Sequence, residues 1–413
     1  MDFNKYRLKD IAEYKNERIE TNQLTTVNYI STENLLPNKQ GKQPANNLPS
    51  SKTVKKYTSS DILISNIRPY FKKIWQANSL GGHSNDVLNI TSINEKISND
   101  YLYYYLSQDK FFQYMTQTSK GTKMPRGDKE AIMEYEIKVP KNIVHQNFIS
   151  NLGKSLDNKI EINKKIIANL EELSQTLFKR WFVDFEFPDE NGNPYKSSGG
   201  KMIDSELGKI PNDWKISNFQ EITAFNTEMI DTNQLENPLN YIGLEHISRN
   251  NIISIDRWEN TSKVTGKKLK VCKGDILFGK LRPYFQKVGI SPIDGVVSTD
   301  IMIFTPNFKN VYYFILLYLS QKNFIRYITS TSTGTRMPRT GKKQINSYKI
   351  VLPTNLILTS FNTILNRYTD LIKLLINENA KLIQLRDTLL PKLMSGEIEI
   401  PDDIEVNTDE LSI

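Results

Sequence analysis

The sequence is poor in the residues that do chemistry. Its 413 residues include one cysteine, Cys272, and three histidines, His83, His145 and His246. A single thiol excludes an internal disulfide and points to a reducing compartment. No two of the histidines share a helical face, so no zinc site is recognisable. The motifs GxSxG, HExxH and GxGxxG are absent. GDILFGKL (274–281) spells GxxxxGK, but Leu281 stands where a P-loop needs the hydroxyl that binds Mg²⁺. Gly274 and Gly279 read instead as turn residues around a strand, and SDILISNI (60–67), the corresponding stretch, lacks both glycines and the lysine. Asp402 and Asp403 read as solvated charge in a tail. No catalytic and no metal-binding residue is assigned. Long apolar runs are missing too. The longest, VYYFILLYL (311–319), is too short to span a bilayer. MDFNKYRLKD lacks a signal-peptide core, so a cytoplasmic protein without membrane contact is expected.

What the chain does carry is positive charge and a repeat. A net charge of +8 and a pI near 9.1 point to a polyanionic partner, nucleic acid first, with a basic but inert surface as the alternative. GTKMPR (121–126) returns as GTRMPR (334–339). Around these hexapeptides, residues 105–140 align with 318–353 at an offset of 213, with 19 of 36 positions identical. DILISNIRPYF (61–71) returns as DILFGKLRPYF (275–285) at an offset of 214, and NYI (28–30) as NYI (240–242) at 212. Solenoids and propellers repeat every 20 to 50 residues. A period above 200 is a duplicated domain, and drift in the offset marks small loop insertions.

Each half begins with short apolar stretches among Asn, Ser, Gly and Pro, which read as strands and loops. An aromatic helix-like segment follows (NDYLYYYLSQDKFFQYM, then NVYYFILLYLSQKNFIRYI), then the hexapeptide loop and a strand ending at Pro140 or Pro353. A heptad pattern comes last. Ile149, Leu156, Asn163, Leu170 and Leu177 fall on one core row, and Leu152, Lys159, Ile166, Leu173 and Arg180 on the other. Adding 212 gives Phe361, Tyr368, Leu375, Leu382 and Leu389, then Ile364, Leu371, Glu378, Leu385 and Lys392. Two long helices are expected to pack on each other as a coiled coil, each roughly 50 Å long; the alternative is that each covers its own domain. Connectivity makes such a pair antiparallel, with a domain at each end: an α/β (α+β) dumbbell with pseudo-two-fold symmetry. PDENGNPYKSSGGKM (188–202) reads as a linker, and PDDIEVNTDELSI, after 400, as an acidic, frayed tail.

The repeated loops suit binding. Lys123, Arg126 and Lys129, or Arg336, Arg339, Lys342 and Lys343, crowd into ten residues stiffened by proline. Such cations suit phosphates, and arginine also suits guanine edges. DNA contact is favoured for them over a structural role. The second loop sets Arg68 and Tyr70, or Arg282 and Tyr284, about a proline. Its arginines either contact DNA or brace the fold through Asp86 and Asp300. The candidate DNA-binding set is Arg68, Tyr70, Lys73, Lys123, Arg126, Lys280, Arg282, Tyr284, Lys287, Arg336, Arg339 and Lys342. Residues identical in both halves cannot distinguish two base sequences. Discrimination is therefore expected where the halves diverge: Ser65 and Asn66 against Gly279 and Lys280, Lys120 against Thr333, and stretches 31–58 and 245–272.

Tandem DILxxxxRPYF and GTxMPR elements, two long helices and SELGKIPNDWK (205–215) together resemble the specificity subunit of a type I restriction-modification system. The resemblance implies two tandem target-recognition domains, 1–146 and 205–358, each reading half of a split, asymmetric double-stranded DNA site. They alternate with long helices at 147–187 and 359–396, a linker at 188–204 and a tail at 397–413. It also implies two methyltransferase subunits docked on the helices and a restriction/translocase subunit. S-adenosylmethionine, ATP and Mg²⁺ would reside on those partners and no cofactor on this chain. Two other readings stay open: a specificity module for a methyltransferase without a nuclease, and a coiled-coil scaffold that binds no DNA.

Overall fold

The structure, a computed structural model, describes residues 1–249 and 251–401. Its contacts divide the chain into two units. Unit 1 is Met1–Glu161 with the chain from Ala380 on; unit 2 is Ile162–Asn379.

Both units are mixed α/β bodies with the same strand order. In unit 1 a four-stranded antiparallel sheet runs Ala12–Tyr14, Val87–Ser92, Ile62–Ser65, Ile74–Gln76. In unit 2 its counterpart runs Thr223–Asn226, Ile301–Pro306, Ile276–Gly279, Val288–Ile290. A second sheet in each unit contains the NYI strand, paired parallel to Gly81–His83 or to Gly295–Val297. The repeated Asp-Ile-Leu begins the inner strand of the first sheet. Its aspartate closes the preceding turn: the Asp61 carboxylate accepts from the Thr58 N–H and that of Asp275 from the Cys272 N–H, each at 2.8 Å.

The aromatic segment is two helices in each unit, not one: Asn99–Leu106 and Asp109–Gln117, then Tyr312–Tyr318 and Lys322–Ser330. The Ser107 hydroxyl bonds back to the Tyr103 carbonyl at 2.7 Å, and Gln108 turns extended before the second helix, which ends the first. These helices pack Tyr101, Leu102, Phe111 and Phe112 into the unit 1 core and Phe314 and Phe324 into that of unit 2. Each such side chain contributes about 1.5–3 kcal/mol by burial.

The long helices are Ile143–Phe178 and Asn355–Ser395. Within unit 2, Phe182 meets Phe361 at 4.7 Å, while the Asn163 amide donates to Asn379 at 2.9 Å, so the segments run antiparallel. Within unit 1, Arg386 reaches Asp157 at 2.6 Å. One expected core row is inward: Ile149, Leu156, Asn163, Phe361 and Leu375 are buried. The other is not. Ile166, Leu173, Leu371 and Leu385 are 37%, 51%, 39% and 46% exposed. Their place is taken by residues four positions after the first row, among them Ile160, Ile167, Ser174, Leu365, Ile372 and Leu393. Apolar residues occupy both the third and the fourth positions, so periodicity alone could not choose between them. Position 153 lies on this inner row and is glycine, since a Cβ there would come within 2.6 Å of the Tyr104 ring.

The stretch expected to be a linker is folded within unit 2, where Phe187 stacks on Tyr195 at 4.5 Å and on Trp214 at 4.8 Å. Met202–Ser205 pairs with Gly208–Pro211 as a hairpin. Of the acidic tail, Ile400 is buried in the unit 1 core, and positions 402–413 lie outside the described residues.

Candidate nucleic-acid interface

In each unit the inner strand of the first sheet runs out into a tight turn, Pro69–Phe71 or Pro283–Phe285. The residues on both sides are left-handed although none is glycine: φ is 50° at Arg68, 51° at Lys72, 51° at Arg282 and 52° at Gln286. Such backbone costs about 1–3 kcal/mol per residue and persists only where the surroundings over-determine it. Here proline presets the turn, and the Lys72 N–H donates to the Pro69 carbonyl at 2.8 Å, as Gln286 does to Pro283 at 2.9 Å. Tyr70 and Tyr284 are thrust outward, 48% and 45% exposed.

The surroundings that hold this turn are the hexapeptide. The Arg68 N–H donates to the Pro125 carbonyl at 2.8 Å, and the Gly127 N–H to Asn66 at 3.0 Å. In unit 2, Arg282 donates to Pro338 at 2.7 Å and Thr340 to Lys280 at 3.1 Å. The hexapeptide is itself closed by reciprocal backbone bonds between Lys120 and Arg126, and between Thr333 and Arg339. Two motifs that lie far apart in the chain, 68–71 with 121–126 and 282–285 with 334–339, thus form one composite loop, present once per unit.

Nine of the twelve candidate residues separate into three groups. Lys123, Arg336, Arg68, Tyr70 and Tyr284 are exposed on the composite loops, beside Met124 and Met337. Arg126 and Arg339 are half-exposed but paired: Arg126 Nη2 lies 3.3 Å from Asp86 Oδ1, and Arg339 presents Nε and Nη2 to Asp300 at 3.1 and 3.4 Å. The bracing role considered for Arg68 and Arg282 therefore falls to the hexapeptide arginines. Each aspartate is brought there by its own backbone, whose carbonyl accepts from Asn66 or Lys280, the residue bonded to the hexapeptide strand. Arg282 is partly buried, with its Nε lacking a hydrogen-bond partner among the described residues. The third group points inward. Lys73 donates its ammonium to the Thr32 carbonyl and Lys287 to that of Leu244, and burial pushes both amines below the usual lysine range. Lys73 ties the turn to the variable stretch 31–58 and Lys287 to the residue just before 245–272, and neither joins the exposed cations. Lys280 is half-buried, and Lys342 lies 5.4 Å over the Phe225 ring.

Other groups carried no signal in the sequence. The Arg249 guanidinium stacks 3.7 Å over Phe285, and the Lys42 ammonium lies 5.0 Å over Trp75, each joining a variable stretch to the neighbourhood of a turn. Residues 31–34 and 43–49 of the variable stretch 31–58 line a polar hollow of about 390 Å³ that reaches Ser84 and Asp86. Among the described residues no group of three His, Cys, Asp or Glu could hold a metal ion, and no helix is long and apolar enough to cross a membrane.

Comparison with known proteins agrees with the duplication. The chain is 24% identical over 317 residues to the type I restriction enzyme MjaIX specificity subunit of Methanocaldococcus jannaschii, covering 74% of this chain and 70% of that protein. It is 24% identical over 474 residues to the HindI specificity subunit of Haemophilus influenzae, covering 96% and 100%. The crystal structure of a type I restriction-modification S subunit from M. genitalium superposes with a TM-score of 0.57 at 15% identity, over 97% of each chain, and so shares the fold. Residues 1–172 and 211–384, the two stretches that each contain one composite loop, match the type I restriction modification DNA specificity domain, and the chain belongs to that family.

Proposed function

We propose that this chain is the DNA-reading subunit of a type I restriction-modification complex, in which each unit recognises one half of a split, asymmetric double-stranded site. The observation that carries this reading is the composite loop, built twice from the same residues and set each time against a different variable stretch. Its exposed cations and tyrosine suit phosphate contact and stacking, which position without specifying sequence. The divergent stretches beside it supply the difference that two unlike half-sites require.

Exposed apolar residues on the helices support docking of two like partners. Ile162 and Leu374, and Leu173 and Leu385, are pairs 212 positions apart, and all four are exposed. Two methyltransferase subunits fit this repetition, with a restriction/translocase subunit joining them. Methyl transfer from S-adenosylmethionine and ATP- and Mg²⁺-dependent steps belong to those partners; this chain binds and directs.

The test is filter binding of duplex DNA at two salt concentrations, combined with methylation mapping of cells with and without the gene. A DNA reader shows steep salt dependence and a bipartite methylated site that vanishes with the gene. Salt-independent or absent binding would leave the protein scaffold as the reading.

A further inference from the structure

The variable stretches are gripped from the side by the long helices, once in each unit. In unit 2 the grip is Glu171, a carboxylate only 4% exposed on the helix Ile143–Phe178. Its Oε2 accepts from the Ile252 N–H at 2.7 Å, and its Oε1 from the Ser254 N–H at 3.0 Å and the Ser254 hydroxyl at 2.6 Å. The segment so held buries Ile252, Ile253 and Ile255. It lies beside Arg249, which stacks on Phe285 of the turn.

In unit 1 the grip comes from the helix Asn355–Ser395. Asp387 Oδ2 lies 3.0 Å from the Lys39 ammonium, which is 9% exposed and also 3.4 Å from Asp109. Asn38 and Lys39 are left-handed, and their N–H groups donate to the Phe71 and Lys72 carbonyls at 2.8 and 2.9 Å. Each variable stretch is thus fixed twice, to the repeated turn on one side and to a helix carboxylate on another.

Burying a carboxylate is costly, and an apolar side chain of similar volume is often as good or better for stability. Among the described residues Glu171 is satisfied by backbone and hydroxyl donors of the variable stretch, bonds with a direction that apolar packing lacks.

We propose that Glu171 and Asp387 are positioning residues for base discrimination: each sets the conformation of one unit's variable stretch and thereby the half-site that unit accepts. This rests on the DNA-reading assignment above. It gives the helices a direct part in specificity.

The test uses the complex assembled with its methyltransferase subunits. Methylation rates are compared on the mapped site and on duplexes altered by one base pair in either half. Glu171→Gln should lower discrimination roughly tenfold at the half-site of unit 2, the scale of one displaced base contact. Discrimination at the other half-site should stay unchanged. Asp387→Asn should do the reverse. Ser254→Ala, which removes only the hydroxyl bond, should relax the same half-site as Glu171→Gln by a smaller factor and guards against an unfolded variant. Variants with wild-type melting curves that leave both half-sites unchanged, or weaken both together, would overturn the proposal. If the wild-type complex shows no salt-dependent DNA binding, the DNA-reading assignment itself fails and takes this one with it.

Discussion

Arg339 meets Asp300 through two nitrogens, and Arg126 meets Asp86 through one, so the arginine that ends each hexapeptide is half spent on a carboxylate before any ligand arrives. Exposed ion pairs of this kind contribute about 0–1 kcal/mol. The aspartates therefore orient the guanidinium groups more than they stabilise the fold.

Replacing Arg126 and Arg339 together by Ala should weaken binding to cognate and random DNA alike. The salt slope should fall by roughly one unit for each phosphate that is no longer neutralised. Asp86→Ala with Asp300→Ala separates a phosphate ligand from a brace. If the arginines touch phosphate, removing the aspartates leaves the slope intact or steeper; if they only brace the loop, both double variants weaken binding alike. Filter binding across a salt series reads both outcomes.

The repeated motifs were legible in the sequence, yet their meeting was not. Nothing in RPYF or GTxMPR announces that Arg68 donates to Pro125, because the bond is made by backbone groups that every residue owns. The helices were half legible. Ile149, Leu156 and Asn163 lie on the seam as their spacing requires, but Leu173 and Leu385 lie outside it. A leucine left exposed has the same period as one held for the core. Glu171 was invisible for a simpler reason: beside Glu172 on a charged helix it looks like any solvated carboxylate, and only the fold brings Ser254 to it.

A second expectation concerns Arg386, whose side chain is 11% exposed and bonded to Asp157 at 2.6 Å and Asp387 at 3.0 Å. The carboxylates flanking it keep the guanidinium charged in spite of burial. Arg386→Ala leaves Asp157 with only the Tyr104 hydroxyl, while Asp387 keeps the Lys39 ammonium, and should cost about 1–3 kcal/mol. Urea denaturation should show the loss in unit 1, with unit 2 keeping its midpoint.

The third concerns acid. His83 is 1% exposed, and burial lowers its imidazole to about 4 despite the bond to the Ser84 carbonyl. Between that value and the ordinary 6.5 the unfolded chain binds a proton that the folded chain refuses, so stability falls as pH drops through this window. The shift corresponds to about 3 kcal/mol of acid sensitivity. His83→Asn should flatten this limb of the stability profile, read as urea midpoints from pH 7 to pH 4.5. An unchanged slope would show that the ring titrates normally.

Unit 2 is one uninterrupted stretch of chain, while unit 1 is assembled from two. Leu390, Leu393, Met394 and Ile400 belong to the core around Leu8 and Ile62, and the N-terminal ammonium lies 3.6 Å from Glu399. On the ribosome, residues 1–161 must therefore wait for residues 380–400, which are made only after the whole of unit 2. Residues 1–161 emerge with an uncovered apolar face, and unit 2 can close while they wait. A message cut short after Asn379 would yield a finished second unit tethered to an unfinished first one, a product with half its reading surface and an exposed core for proteases to find.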